Sequence, residues 1–468
     1  MKSSLSDSLI ERWEQLSRLK TEPAILDTKG KVLRTFAQIE EEAAELGRTF
    51  LSRFRAGEVI AIQIGNHPAW PALLLANLRR RLVTLPIERS MAIGELEAAL
   101  QTCGAAAIVE TSQTQTKGEQ IGFRWLAHKL IDWGAYQPSL LKLTSGTTAA
   151  PRAIRFRSEQ LLADCEQICA TMGITRGDLN FAAIPLSHSY GFSNLVTPLI
   201  TRGVPMVLSS DTLPRALLDD LAQTRATVFP GMPVFYQALS EIDNVSALPI
   251  LRLCISAGAP LPLEVAKKFR AKFNQPIHSF YGSSECGGIC FDRQAPLLEP
   301  GFVGRPMEGV DLEPLDQEAC ATRIRIHSPA AGDGYFPEAD DDRLGKGKFI
   351  PDDLINFSRD GVRIVGRISD IINVAGKKVN PAEVEAELLR ISGVRAAVVF
   401  GRASQLRNEE VAACIVAEPG VRESDVLEHC RASLSGWQVP KRVFFVEEIP
   451  INDRGKINRR EVASRFHS

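Results

Sequence analysis

Residues 251–285 read LRLCISAGAPLPLEVAKKFRAKFNQPIHSFYGSSE. Leu251 to Ile255 is a short apolar run closed by small residues and Pro260, the signature of a buried strand and its turn. From Pro262 to Phe273 the apolar positions recur at helical spacing, and Pro276 to Phe280 is a second apolar run, closed by Tyr281-Gly282-Ser283-Ser284-Glu285. Strand, helix and strand in this order make a sheet covered by helices, the α/β architecture. Ligands in such folds sit at the loops beyond the strand ends.

The rhythm continues outward. Val59 to Ile64, Leu82 to Ile87, Ala105 to Val109, Asn180 to Ile184, Pro205 to Leu208 and Ala226 to Phe229 also read as strands, and the polar stretch from Thr111 to Gln120 reads as an exposed loop. Past Gly304 the texture changes. Thr322 to Ile326 and Val362 to Val365 are strand-like. A compact α+β unit then follows: Asn380 caps a helix that starts at Pro381, strands run over Ala396 to Phe400, Ala412 to Ala417 and Val443 to Val446, and a helix covers about Ser424 to Leu434. The expected organisation is a large N-terminal domain, 1–368, and a small C-terminal domain, 369–468, divided near Ser369.

Length and composition bound the function. The 468 residues exceed one ordinary core. With 55 basic against 56 acidic residues the net charge is −1, which argues against a protein built to coat nucleic acid or an anionic membrane. Apolar residues at 44% and charged residues at 24% exclude wholesale disorder. Nine scattered cysteines fit reduced thiols in a cytoplasmic enzyme better than a disulfide scaffold. Cys165 with Cys169 and Cys286 with Cys290 lack a completing ligand set and read as buried thiols, not a zinc site. No apolar run is long enough to span a bilayer.

Chemistry concentrates in a few turns. Leu143 to Arg152, LTSGTTAAPR, sets the hydroxyls of Thr144, Ser145, Thr147 and Thr148 around Gly146 and ends on a cation. Small residues admit backbone amides to an anion, hydroxyls add donors, and Arg152 adds charge, so the composition suits a phosphate-cradling loop. Taken alone, it is equally a polar loop after a strand. Ser187-His188-Ser189-Tyr190-Gly191 follows another strand; a lone His is more often packed than catalytic. Gly258, Ala259 and Pro260 beside Tyr281, Gly282, Ser283 and Ser284 can sandwich a flat base, and Glu285 after hydroxyls can hold Mg²⁺ near phosphates.

In order and context these segments closely resemble the adenylate-forming superfamily, and its acyl-CoA synthetase branch in particular. The resemblance runs from Thr35-Phe36 to Arg459 and includes Gly301 to Gly309, Asp353, Gly366-Arg367, Ala375-Gly376-Lys377-Lys378 and Gly455-Lys456-Ile457. It implies an enzyme that joins a carboxylic acid to AMP at the expense of ATP and passes the acyl group to a thiol, with ATP, Mg²⁺ and CoA as its cofactors. Carried over, Thr144, Ser145, Thr147 and Thr148 cradle the β and γ phosphates, Ser284 reaches the α-phosphate, and Glu285 holds Mg²⁺. Gly258, Ala259, Pro260 and Tyr281 surround adenine, Asp353 takes the ribose hydroxyls with Arg367 close by, and His188 borders the acyl site. Lys456 bridges the acid and the α-phosphate, and a hinge at Ser369 exchanges it for the loop around Gly376. A homodimer is common in related enzymes.

The chain departs from the family pattern where Gly-x-Pro-Lys-Gly becomes Ala149-Ala150-Pro151-Arg152-Ala153 and where Thr-Gly-Asp becomes Pro351-Asp352-Asp353. Arg keeps the charge and changes its geometry. Two rival readings follow: an acyl-AMP ligase that loads a carrier-protein phosphopantetheine, and a non-catalytic adenylate-binding relative. Tyr190, Phe192, Phe229, Phe235 and Tyr236 are candidates for the acid pocket.

Overall fold

The computed structural model describes residues 7–114, 118–144, 151–209, 213–243, 245, 247–248, 250–295, 300–316, 321–374, 376–404, 408–449 and 459–466. The chain divides into two compact units, one of residues 1–313 with 325–350 and one of residues 314–324 with 351–468.

The first unit is built on two sheets. In one, Pro23–Asp27, Met206–Leu208, Asn180–Ala182, Val228–Gly231, Leu253–Ser256 and Ile277–Ser283 run parallel in that spatial order. Val32–Thr35 pairs antiparallel at one side, and Gly287–Phe291 and Phe302–Pro306 continue antiparallel at the other. Parallel strands are covered on both faces, hence their near-continuous apolar runs. Helices Pro214–Thr224, Pro233–Glu241 and Leu263–Phe273 bury Leu217, Leu221, Leu239 and Phe269 against Phe181, Phe229 and Cys254 of the sheet. The helix expected over Pro262 to Phe273 begins one residue later, because Pro262 takes the extended cap position.

The second sheet has the order Tyr335–Phe336, Arg152–Phe156, Leu140–Thr144, Val83–Pro86, Val59–Gln63, Ala105–Thr114 and Gly118–Trp125. Its last pair corrects the expectation of an exposed loop over Thr111 to Gln120. Thr111 faces Ile121 and Thr114 faces Gly118, so most of that stretch forms the two arms of an antiparallel hairpin. Its polar composition belongs to an edge ribbon, whose ladder is made by the backbone and needs no apolar side chains. The thiols of Cys165, Cys169, Cys286 and Cys290 are buried and free.

In the second unit, Ile372–Val374, Lys377–Val379, Asn408–Ala417, Val394–Ser404 and Arg442–Phe445 form one sheet, with helices Pro381–Leu388 and Glu423–Ser433 closing a core around Val384, Val399, Val411 and Val426. Asn380 caps the first helix by accepting from the amide of Ala382 at 3.2 Å. The same side chain donates to the carbonyl of Val365 at 2.8 Å, and a Cβ on Gly366 would stand 2.4 Å from its Oδ1. These contacts tie the hairpin Asp353–Phe357/Val362–Arg367 to the helix that Asn380 caps. Among the described residues no helix is long and apolar enough to cross a membrane.

Candidate active site

Register brings the strand-end turns together. Gly231 lies opposite Ser256, and Ser256 opposite Ser279, all in parallel strands. The turn at 257–260 and the turn at 284–286 that follows the strand end Tyr281–Ser283 therefore leave the same carboxyl edge of the sheet, where α/β folds bind ligands. Gly258 takes φ +89°, a conformation only glycine adopts readily, and it and Pro260 are exposed. Tyr281 is buried while Gly282 beside it is exposed. The strand Asn180–Ala182 ends at this edge too and leads to His188, whose Nδ1 accepts from the amide of Tyr190 at 3.2 Å and caps the following helical segment. One residue on, Ser189 Oγ donates to Ser284 Oγ at 3.0 Å, joining the His188 turn to the Glu285 turn. That helical segment contains a π turn over Phe192–Val196, a distortion frequent at functional sites.

Glu285 is the chemical centre of the cluster. Burial pushes its carboxyl above the usual range, opposed by its hydrogen bonds and by the cation Arg343. Tyr335 donates to its Oε1 at 3.2 Å. The other side of Tyr335 carries Arg152, whose guanidinium carbon lies 4.2 Å from the ring centroid and whose Nη2 donates to the carbonyl of Glu338 at 3.3 Å. One tyrosine thus links the end of the phosphate-loop segment to the candidate metal carboxylate. A planar guanidinium stacks on an aromatic face as an ammonium does not, which gives the arginine at 152 a physical role. Thr144 closes the other end of the segment, donating from Oγ1 to the carbonyl of Arg152 at 3.2 Å.

Among the described residues no group of three acidic, His or Cys side chains stands ready to hold a metal. Mg²⁺ does not need one, since it is usually held by one or two carboxylates together with substrate phosphates and water. A single half-buried carboxylate whose orientation is fixed by a tyrosine fits that coordination chemistry.

The second unit carries its own part. Asp353 is buried and accepts from Arg367 Nε at 2.7 Å, across the first pair of the hairpin register. Gly376 turns between two short strands, its amide donating to Asn373 Oδ1 at 2.9 Å. Ser369 is exposed in a short helical turn and donates to Asp370. Ser145, Gly146, Thr147, Thr148 and Lys456 lie outside the described residues. The candidate residues are therefore shared between the units: Thr144, Arg152, His188, Gly258 to Pro260 and Tyr281 to Glu285 in the first, Asp353, Arg367 and Gly376 in the second.

Three polar residues bound to or buried beside these segments have no motif to announce them. Tyr335 is one. Arg459 is the second: at the start of helix Arg459–Arg465, it donates to Glu385 Oε2 at 2.8 Å and faces Asp370 at 3.5 Å. Lys142 is the third, a lysine only 5% exposed on the strand that feeds the phosphate loop. Of the proposed pocket aromatics, Phe229 and Tyr236 are core residues, with the Tyr236 hydroxyl donating to the carbonyls of Phe229 and Ile255 at 2.8 and 3.0 Å. Tyr190 also donates to Ile255, at 3.2 Å, from beside Phe280.

Residues 13–336 match the AMP-binding enzyme family, and residues 383–456 match the AMP-binding enzyme C-terminal domain. The chain belongs to the AMP-binding enzyme family. The feruloyl-CoA synthase of Amycolatopsis sp is 28% identical over 93% of this chain and 95% of its own. The oxalate–CoA ligase of Arabidopsis thaliana is 24% identical over 98% and 99%. Among solved structures, ATP-bound MatB from Rhodopseudomonas palustris superposes with a TM-score of 0.83 at 23% identity, over 97% of this chain and 98% of that one.

Proposed function

We propose that this AMP-binding enzyme is an AMP-forming carboxylate ligase that converts an acyl or aryl acid and ATP to an acyl-adenylate and pyrophosphate, then transfers the acyl group to CoA. The observation that carries this reading is the constellation of Arg152, Tyr335 and Glu285 beside the 257–260 and 281–284 turns. It sets a guanidinium and a metal-type carboxylate next to a surface suited to a nucleoside. The two curated relatives described above, both named as CoA ligases and matching nearly end to end, support the same chemistry.

In the first half-reaction a carboxylate oxygen of the acid bonds to the α-phosphorus and the bond to the β-phosphate oxygen breaks, so that pyrophosphate leaves. An anion must approach a polyanion, and catalysis rests on positioning and positive potential. Thr144, Ser145, Gly146, Thr147, Thr148 and Arg152 hold the β and γ phosphates, and Ser284 meets the α-phosphate. Gly258, Ala259, Pro260, Tyr281, Gly282 and Ser283 enclose adenine. Asp353, its orientation fixed by Arg367, accepts the ribose hydroxyls. Glu285 would hold Mg²⁺, which when bound neutralises phosphate charge. Lys456 brings an ammonium to the acid and the α-phosphate, and His188 borders the acid. In the second half-reaction the CoA sulfur bonds to the acyl carbon and AMP departs. The exposed turn at Ser369 serves as the hinge between the 1–368 and 369–468 domains, replacing Lys456 by the Gly376 loop. The buried, unbridged thiols suit a reducing cytoplasm.

The test is release of AMP and pyrophosphate from Mg·ATP over a panel of aryl, aliphatic and dicarboxylic acids, with and without CoA. AMP and pyrophosphate in equal amounts, with acyl-CoA, are the expected products. No release with any acid would favour the non-catalytic relative, and acyl-adenylate that CoA cannot discharge would favour a carrier-protein acceptor.

A further inference from the structure

Asn66 joins the carboxyl ends of strands from both sheets of the first unit. It follows the strand Val59–Gln63 of the second sheet, in a turn that Trp70 closes by donating from its ring nitrogen to the carbonyl of Gly65 at 2.9 Å. From there its side chain reaches the first sheet. Nδ2 donates to the carbonyls of Ala182, Ile184 and Ser209 at 3.0, 3.2 and 3.3 Å, and Oδ1 accepts from the amide of Leu186 at 2.9 Å.

The strands Asn180–Ala182 and Met206–Leu208 end their ladder at the pair Ala182 and Leu208. Beyond it the backbone runs on through Ile184, Leu186 and Ser209, which are buried. Peptide groups in such a place need partners as much as those inside the sheet. Asn66 supplies them, sharing two amide hydrogens among three carbonyls while its oxygen takes one amide. An apolar side chain offers no such bonds, and Asp, of the same shape, would turn an oxygen towards three carbonyl oxygens. The stretch held in this way leads directly into the His188 turn. The amide of His188 donates to the carbonyl of Pro185 at 3.1 Å, and a Cβ on Gly191 would collide with that same carbonyl oxygen, so the helical segment sits hard against the turn.

We propose that Asn66 is a positioning residue for the acid: by bonding the carbonyl of Ile184 and the amide of Leu186 it sets the path of the 183–188 turn, and through it the place of His188. It acts through the backbone and touches no substrate. The inference rests on the proposed reaction, in which His188 borders the acid.

The experiment compares Asn66→Asp and Asn66→Ala with the unmodified protein and with Asn77→Ala. Asn77 is a buried asparagine of helix Trp70–Arg79 that donates to Thr84 Oγ1 at 3.1 Å, so its loss weakens the packing of that helix on the second sheet. Urea midpoints are measured, with kcat and KM for Mg·ATP and for the panel acid that releases pyrophosphate fastest. All three variants are expected to lose stability. The Asn66 variants alone are expected to lower kcat/KM for the acid by at least about tenfold, since a displacement of about 1 Å can cost about a hundredfold. Their KM for Mg·ATP is expected to stay within about twofold. Asn66→Asp should be the more severe, and Asn66→Ala, which adds no charge, decides the matter if Asn66→Asp does not fold. An acid kcat/KM within about twofold of the unmodified protein in the Asn66 variants would reduce Asn66 to a staple between sheets and overturn the proposal. So would an equal fall in Asn77→Ala, or a KM for Mg·ATP that rises in step with that for the acid. Absence of acid-dependent pyrophosphate release by the unmodified protein would instead refute the proposed reaction on which the inference rests.

Discussion

The turn that presents Glu285 depends on one glycine, and replacing it gives a quantitative check on how the site is held. Gly287 has φ +68°, and a Cβ there would stand 2.0 Å from Asp164 Oδ1 and 2.3 Å from its Cγ. Gly287→Ala therefore carries two costs. The left-handed backbone costs about 1–2 kcal/mol for a residue with a Cβ. The collision forces Asp164 aside, away from the Gly288 amide and the Ser193 hydroxyl, and disrupting a buried charged acceptor costs a further ~1.5–3 kcal/mol. The expected loss is roughly 2.5–5 kcal/mol. Gly173 provides the control. It has φ +64° at the end of helix Ser158–Met172, with nothing within 4 Å of its Cβ position, so Gly173→Ala should cost only the backbone share, about 1–2 kcal/mol. Urea denaturation of the two variants reads the difference directly, and the Mg·ATP KM should rise for Gly287→Ala alone. Equal losses, or a loss below about 2 kcal/mol at 287, would show that Asp164 does not brace the turn.

Three further outcomes follow from the site. Asp353→Ala should raise the ATP KM by at least about tenfold, since a carboxylate accepting ribose hydroxyls is worth about 1.5–3 kcal/mol, while Asp352→Ala should change it little; equal effects would mean that the ribose residue is misassigned. Tyr335→Phe keeps the ring under Arg152 and removes the hydroxyl on Glu285, so the Mg²⁺ concentration for half-maximal adenylation should rise several-fold with thermal stability nearly unchanged; an unaltered Mg²⁺ dependence would separate Tyr335 from the metal carboxylate. Lys456→Ala should cut adenylate formation by orders of magnitude and spare thiolysis of supplied acyl-adenylate, whereas Lys441→Ala should do neither. Equal slowing of both half-reactions by Lys456→Ala would count against an exchange of that lysine for the Gly376 loop.

What the sequence discloses about this protein follows from the range of the physics involved. Strands such as Val228–Gly231 and Leu253–Ser256 are legible because burial on both faces forces an unbroken apolar run, and the turns after them because glycine, proline and hydroxyl residues mark where the backbone must bend. The hairpin arms at 111–121 are illegible because an edge ladder is made by peptide groups, whatever the side chains. Glu285 is found from the motif, but its bond to Tyr335 spans 50 residues and joins two chain segments that no local pattern connects. Tyr236 errs in the opposite direction. Its aromatic ring near a ligand-type turn suggests a pocket wall, yet its hydroxyl is consumed by two backbone carbonyls in the core, a fate that composition cannot distinguish from ligand contact.

Lys142 is the instructive case, because every local rule assigns it to the surface. A lysine in a short strand beside a polar loop ordinarily points to water, and only the fold shows that it is buried against Phe156 and Phe192. The local sequence rules are averages over environments, and they fail where a charge is retained in the interior against its solvation cost. Such a failure occurs here on the strand ending at Thr144, where the lysine lies against Phe192 of the helical segment behind His188. Apolar packing alone could hold those segments together, but it constrains direction weakly. A carboxylate bonded to a particular amide and a particular hydroxyl constrains both distance and angle. Asp164, bonded to the Gly288 amide and the Ser193 hydroxyl, fixes the turn at Glu285 against the helical segment behind His188 in this way.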